Sequence, residues 1–156
     1  MYSFRNDYSE GAHPKVLQAL ADTNLRQTVG YGMDPCCQAA ADTIRRLCAA
    51  PDAAVHFLVG GTQVNLVTID AFLQSYEAVV AAQTGHVSTH ETGAIEATGH
   101  KVCTVESPDG KLTPALVESV LAGHNGTEHM VLPRMVYISD TTEIGTVYTR
   151  AELAAL

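Results

Sequence analysis

A short apolar run that meets two adjacent glycines most limits how this chain can fold. Residues 55–59 are mostly apolar, Gly60 and Gly61 follow, and Thr62 opens a segment with helical apolar spacing. This order predicts a buried strand, a tight turn and then a helix. The first turn of a helix carries N–H groups without intrahelical partners and partial positive charge. The stretch is therefore either a seat for a phosphate group or an ordinary strand-to-helix turn.

Segments typical of strands and helices alternate along the rest of the chain. A helix is predicted at 62–74, and further strands are predicted at 78–82, 101–105 and 135–139. Between the last two, another helix is predicted from Thr113 to Gly123. This alternation predicts an α/β fold, a three-layer sandwich whose mostly parallel sheet has helices on both faces.

Three polar segments follow these predicted strands. They are residues 60–62, residues 83–86 and residues 140–142. The carboxyl ends of parallel strands meet at one edge of a sheet, and ligands bind beyond that edge. The sequence therefore favours a ligand site where the three segments converge.

The two ends of the chain differ from its middle. Residues 1–12 are polar and are predicted to form an N-terminal arm, whereas residues 13–156 are predicted to form a single, partial domain. Near the other end, Thr149 and Glu152 have the spacing of a capping box, which predicts the start of a helix. A helix of two turns is marginal without support. We therefore expect the sequence to be a truncated part of a longer protein.

Composition excludes several classes of protein. The formal net charge of −8 argues against nucleic acid as a partner, because phosphate backbones require a basic surface. No apolar run approaches the ~20 residues of a membrane span, and the first residues lack a signal-peptide pattern. The four cysteines match no zinc or disulfide framework, which is typical of reduced thiols in the cytosol. A cytoplasmic location is therefore predicted.

Several motifs together resemble the low-specificity L-threonine aldolase and β-eliminating lyase family. Its members are pyridoxal-phosphate enzymes with the aspartate aminotransferase type of fold, and the resemblance covers the N-terminal part of their large domain. It runs from Phe4 to the last residue. The motifs are Arg5-Asn6-Asp7, Val29-Gly30-Tyr31-Gly32, Gly60-Gly61-Thr62-Gln63-Val64-Asn65, His86 with Glu91, and Asp140-Thr141-Thr142.

The resemblance implies a role for each motif. His86 would stack on the cofactor ring and, as the catalytic residue, take the proton of the substrate's β-hydroxyl group. The cofactor-binding residues that the resemblance implies are Gly60, Gly61, Thr62, His86, Glu91 and Thr141. The substrate-side residues that it implies are Asn6, Asp7 and Tyr31. The implied reaction cleaves a β-hydroxy amino acid into glycine and an aldehyde, in a homodimer or homotetramer.

One essential group of this family is not found in the sequence. Such enzymes bond their cofactor covalently through a lysine. The lysines here are Lys15, which begins a helix, Lys101, which begins a strand, and Lys111, which follows a turn. None is suitably placed, so we expect this chain alone to be inactive.

Other functions remain open from the sequence. The chain could be a non-catalytic phosphate- or nucleotide-binding module with a Rossmann-like sheet, or a fragment whose role is to associate with another chain. His86 and His90 have the i, i+4 spacing of metal ligands, with Glu91 adjacent. That spacing suits a metal only in a helix, and no third ligand is evident. No metal site is predicted.

Overall fold

The computed structural model describes residues 2–3, 5–6, 8–124 and 127–156, which form two compact units. The N-terminal unit ends at Phe57, and the C-terminal unit runs from Leu58 to Leu156. The predicted division into an arm at 1–12 and a domain at 13–156 stays a prediction.

Two helices form the regular part of the N-terminal unit. They are α1 (Pro14–Thr23) and α2 (Pro35–Leu47), each with a proline at its first position. Asp34 caps α2, because its Oδ1 accepts hydrogen bonds from the N–H groups of Cys36 at 2.9 Å and Cys37 at 3.0 Å. A hydrogen bond with the Asp34 carboxylate raises the pKa of the Cys37 thiol, so this thiol stays protonated at neutral pH.

A parallel three-stranded sheet forms the centre of the C-terminal unit. Its strands are β1 (Glu77–Ala82), β2 (Lys101–Val105) and β3 (Leu132–Val136), in the order β2-β1-β3. In the central strand, Val80 pairs with Cys103 on one side and with Val136 on the other. Every residue of β1 after Glu77 is buried, as expected for a strand with neighbours on both sides and helices on both faces.

Helices cover both faces of this sheet. They are α3 (Gly61–Phe72), α4 (His86–Thr89), a 3-10 helix (Glu96–Thr98), α5 (Pro114–Gly123) and α6 (Arg150–Ala155). Side chains alternate between the faces along β1. Val79 lies in one apolar cluster with Ile69 of α3, and Val80 lies in a second cluster against which Val117 of α5 packs. The predicted α/β fold with a three-layer arrangement is therefore confirmed.

The prediction of a strand at 55–59 is wrong. A strand forms only where a neighbour shares its hydrogen bonds, and the described part of the chain contains a sheet of β1, β2 and β3 alone. Val59 is 97% exposed, and its N–H donates to Gln63 Oε1 at 2.9 Å. The apolar run therefore leads into α3 as irregular backbone.

The last strand begins three residues earlier than the predicted range of 135–139. Leu132 pairs with Glu77, and the register shifts by an irregularity after Ala78. Pro133 lies within β3, which is an edge strand of this sheet and needs no N–H on its outer side. The proline therefore does not stop the strand.

The capping box at Thr149 forms as predicted and begins α6. The Thr149 hydroxyl accepts the N–H of Glu152 at 3.2 Å, and Glu152 Oε2 accepts the N–H of Thr149 at 2.6 Å. Lys111 Nζ donates to Glu152 Oε1 at 2.5 Å, and the Tyr148 hydroxyl accepts the N–H of Leu112 at 2.6 Å. These contacts give a short helix the tertiary support that it needs.

Acid is expected to loosen α6 through Glu152. The hydrogen bond from Lys111 is the main reason that the pKa of Glu152 falls from 4.5 to about 2. A carboxylate with a lowered pKa contributes stability that is complete above pH 4.5 and disappears as pH falls toward 2. Hydrogen-exchange protection of α6, relative to a Glu152→Gln chain, should therefore decline across this window.

A matched substitution controls for general acid effects. Glu118 on α5 is exposed and forms no salt bridge within the described residues. The Glu118→Gln chain should lose α6 protection with acid as the wild type does, whereas Glu152→Gln should start low and change little. Equal acid sensitivity in all three chains would contradict the role of the Lys111–Glu152 pair.

Candidate functional site

The first turn of α3 presents backbone N–H groups that no side chain caps. Gly60 is the N-cap residue, with φ −168° and ψ 166°, and lacks a side chain that could accept a hydrogen bond. A Cβ atom added at Gly60 or Gly61 would meet no atom of the described residues within 4 Å. The space outside the turn is therefore open, and the N–H groups of Gly61, Thr62 and Gln63 suit an anion there.

His86 and Glu91 form the most closely coupled polar pair of the site. His86 begins α4 just beyond the carboxyl end of β1, and its Nδ1 lies 2.7 Å from Glu91 Oε1. The Glu91 side chain is completely buried, whereas that of His86 is 39% exposed. A carboxylate can only accept a hydrogen bond, so Nδ1 carries the proton. The neutral ring then has an unprotonated Nε2.

Asn65 extends this pair to α3. Its Nδ2 donates to the same Glu91 oxygen, Oε1, at 2.5 Å. The other oxygen, Oε2, is buried and has no hydrogen-bond partner among the described residues. Asn65 occurs in a motif of the sequence but has no predicted role. The signal was present, because an amide in an otherwise apolar helical stretch needs a polar partner when it is partly buried.

The ends of β1 and β3 meet at one edge of the sheet. A small cavity there is lined by Thr84 and Gly85, which follow β1, and by Ser139 and Thr142, which follow β3. Two of the three polar segments therefore converge as predicted. The segment 60–62 does not follow a strand, although Asn65 joins its helix to the segment that follows β1.

The two threonines after β3 have different surroundings. Thr142 is buried, with its Oγ1 2.7 Å from Thr146 Oγ1, and Thr146 Oγ1 donates to the Asp109 carbonyl at 2.6 Å. Thr141 is exposed. Thr142 therefore fixes the loop and leaves its neighbour accessible, while the cofactor role of Thr141 stays a prediction.

The predicted substrate-side residues belong to the N-terminal unit. The side-chain Oδ1 of Asn6 accepts a hydrogen bond from the Ser9 hydroxyl at 2.6 Å. Tyr31 is fully exposed and has a φ of 62°, which is uncommon for a residue other than glycine. Asp7 lies outside the described residues. The role of all three stays a prediction.

Neither lysine of the C-terminal unit is placed to bond a cofactor at this edge. Lys101 begins β2 and therefore lies at the opposite end of the sheet. Lys111 is held by Glu152 at 2.5 Å and lies 3.7 Å from Asp109. Its hydrogen bond with Glu152 also raises its pKa, so it remains a cation rather than the neutral amine that attacks a carbonyl.

The described ranges contain neither a cluster of metal ligands nor a membrane-spanning helix. The rings of His86 and His90 are 5.5 Å apart and tilted by 59°. Across residues 2–3, 5–6, 8–124 and 127–156, no three His, Cys, Asp or Glu side chains gather as metal ligands. Within the same residues, none of the helices has the length and apolar character to cross a membrane.

The sequence matches one family of enzymes over nearly its whole length. Residues 4–156 match the model of the beta-eliminating lyase family, and the chain belongs to this family. The family implies pyridoxal phosphate as the cofactor, and the resemblance found in the motifs is confirmed.

Two relatives and one solved structure that resemble this chain are threonine aldolases. The chain is 36% identical to a low-specificity L-threonine aldolase of a Pseudomonas species and 35% identical to one of Pseudomonas aeruginosa, each over 98% of its length. It matches the structure of Leishmania major threonine aldolase with a TM-score of 0.96 and 57% identity over 99% of its length. It spans only 44% of the Pseudomonas proteins and 45% of the Leishmania chain.

Proposed function

We propose that this chain forms part of the cofactor-binding site of a pyridoxal-phosphate-dependent aldehyde-lyase. The reaction cleaves a β-hydroxy amino acid into glycine and an aldehyde. The observation that carries the proposal is the buried Glu91 carboxylate, which contacts His86 Nδ1 at 2.7 Å and is joined by Asn65 to the uncapped helix α3. This arrangement supports the proposal, because Asn65 links the helix with the uncapped first turn to the His86 imidazole through Glu91.

The residues present fit the cofactor's phosphate and ring. A phosphate dianion suits the N–H groups of Gly61 and Thr62, because open space lies outside the turn and the helix end carries partial positive charge. The partly exposed imidazole of His86 offers a flat face for a pyridine ring. Glu91 would hold that ring-stacking imidazole, and Thr141 would add an exposed hydroxyl group at the same edge.

His86 is the proposed base of the reaction. Its Nε2 would take the β-hydroxyl proton of the substrate, while Glu91 holds the proton on Nδ1 and stabilises the imidazolium that results. The Cα–Cβ bond would then break as the β-carbon becomes the carbonyl carbon of the aldehyde, and the return of a proton to Cα would complete glycine and restore the neutral imidazole. When bound, pyridoxal phosphate supplies the electron sink for the pair left on Cα.

The proposed reaction also needs groups that bind the substrate and a lysine that bonds the cofactor. Asn6, Asp7 and Tyr31 are proposed to contact the amino-acid substrate in a homodimer or homotetramer. The lysine that bonds the cofactor is proposed to come from residues other than those of this chain, given the positions of Lys101 and Lys111. The chain alone would then hold the cofactor reversibly without turnover.

Calorimetric titration of the chain tests whether the first turn of α3 binds the cofactor's phosphate. Pyridoxal phosphate should bind roughly 10- to 100-fold more tightly than pyridoxal, because only the former offers the charge-assisted hydrogen bonds of the phosphate. Inorganic phosphate should compete, and AMP should bind more weakly than pyridoxal phosphate. Incubation with L-threonine and the cofactor should release glycine no faster than the cofactor alone.

Three results of the titration would contradict the proposal. Equal affinity for pyridoxal and its phosphate would show that the phosphate is not recognised. Tighter binding of AMP would favour a nucleotide-binding module. Glycine release above the cofactor-only blank would show that the chain is catalytically complete.

A further inference from the structure

Two hydrogen-bond donors converge on one oxygen of a buried carboxylate. Asn65 Nδ2 lies 2.5 Å from Glu91 Oε1, and His86 Nδ1 lies 2.7 Å from the same atom. The second oxygen, Oε2, is buried without a partner in the part of the chain that the structure describes. All of the directional bonding of this carboxylate therefore falls on the oxygen that faces the imidazole.

We infer that Asn65 is a positioning residue for His86 and acts through Glu91, an inference that rests on the proposed role of His86 as the base. A carboxylate with a single hydrogen-bond partner can pivot about the bond that carries it. The Asn65 amide opposes this pivoting, because it adds a second hydrogen bond, from a residue of α3, to the same oxygen that His86 contacts. Oε1 is thereby held where His86 Nδ1 can donate to it.

The consequence for the imidazole concerns which nitrogen carries the proton. A carboxylate fixed at Nδ1 stabilises the tautomer with hydrogen on Nδ1, which leaves the Nε2 lone pair for a substrate proton. Without Asn65, the carboxylate retains its charge but loses its fixed orientation. The ring can then shift toward the other tautomer, whose Nε2 is already protonated and cannot act as a base.

The Asn65–Glu91 contact also links the proposed phosphate-binding turn to the proposed base. Asn65 lies on α3, one turn beyond Gly61, whereas Glu91 and His86 lie on the segment after β1. A ligand that is bound at the first turn of α3 therefore rests on the helix that orients the base. The amide has a geometric role that a general polar residue at this helix position would not fill.

Nitrogen-15 NMR of the His86 imidazole in the chain 1–156 tests the inference without any cofactor. The neutral form of the wild-type imidazole should be mainly the Nδ1–H tautomer. The Asn65→Ala substitution should lower the ratio of the Nδ1–H to the Nε2–H tautomer by about fivefold. This is the change in an equilibrium constant expected from the loss of one hydrogen bond. An unchanged ratio would overturn the inference.

Two controls separate positioning from folding. Val67→Ala changes an exposed residue of the same helix and should leave the ratio unchanged. Asn65→Gln keeps an amide donor and should restore at least part of the ratio. A merely structural role of Asn65 would lower thermal stability in Asn65→Ala without moving the tautomer ratio, and this outcome also counts against the inference.

The wild type alone provides a measurement that does not depend on the folding of any variant. The Asn65 side-chain amide donates to a buried carboxylate, whereas the Gln18 amide donates to Asp22 at 2.7 Å on an exposed surface. The Asn65 amide protons should exchange with water at least about tenfold more slowly, because local opening must precede exchange. Equal exchange rates would overturn the inference.

Failure of the inference is distinguishable from failure of the proposed function. The tautomer ratio is measured without pyridoxal phosphate, and the affinity for pyridoxal phosphate is measured separately. A chain that binds the cofactor but has a tautomer ratio insensitive to Asn65 would keep the function and lose the inference. A chain with the expected ratio that binds no cofactor would keep the positioning contact and lose the function.

Discussion

The Gly60→Asp chain should bind pyridoxal phosphate about 30-fold or more weakly than the wild type, since a carboxylate ~5 Å from a phosphate dianion costs about 2–3 kcal/mol. Its fold should be unharmed. The extended backbone at Gly60 suits any residue, and an added Cβ would meet no atom within 4 Å in the part of the chain that the structure describes. Aspartate is also a preferred N-cap residue, so the unfolding temperature should stay the same or rise. Calorimetric titration and thermal unfolding measure the two effects.

Gly60→Asn is the matched control for charge. Asparagine caps a helix as well as aspartate does but carries no charge. It should therefore raise stability similarly and weaken cofactor binding less, by occupying the same N–H groups without repelling the phosphate. Equal losses of affinity in the two variants, or no loss in either, would show that the phosphate does not bind at this turn.

The second large effect is expected at His86. In a chimera that joins residues 1–156 to the remaining 55% of Leishmania major threonine aldolase, His86→Asn should lower kcat by about 10²- to 10⁴-fold, the usual contribution of a general base. Asparagine keeps an N–H donor for Glu91, so the fold and the buried carboxylate should be preserved. Steady-state assays of glycine release give kcat and KM.

His90 provides the control for this substitution. It is exposed, and its ring lies 5.5 Å from that of His86 without a hydrogen bond between them in the described structure. His90→Asn should retain a kcat close to that of the unmodified chimera. If His90→Asn lost as much activity as His86→Asn, the base would not be His86 alone.

Much of the fold follows from local sequence signals. The strand at Lys101–Val105 has the predicted bounds, and the capping box at Thr149 begins α6 as expected. The residues at 55–59 show the limit of such signals, because an apolar run becomes a strand only with a pairing partner. Similarly, the start of β3 depends on its register with β1, which no local pattern in β3 contains.

The site was less predictable than the fold. The motif resemblance named His86 and Glu91, but their 2.7 Å contact depends on the end of α4, where His90 leaves the helix with a φ of −126°. Asn65 received no role because its partner lies 26 residues away along the chain. Sequence spacing also could not distinguish the exposed Thr141 from the buried Thr142.

Glycine release by the chimera tests the central claim most directly. The claim is that residues 1–156 supply a working cofactor seat and base to an aldehyde-lyase. The chimera, loaded with pyridoxal phosphate, should convert L-threonine into glycine and acetaldehyde in equal amounts, whereas the chain 1–156 under the same conditions should not exceed the cofactor-only blank. A chimera that is folded and binds pyridoxal phosphate, yet releases no glycine from threonine or another β-hydroxy amino acid, would contradict the account.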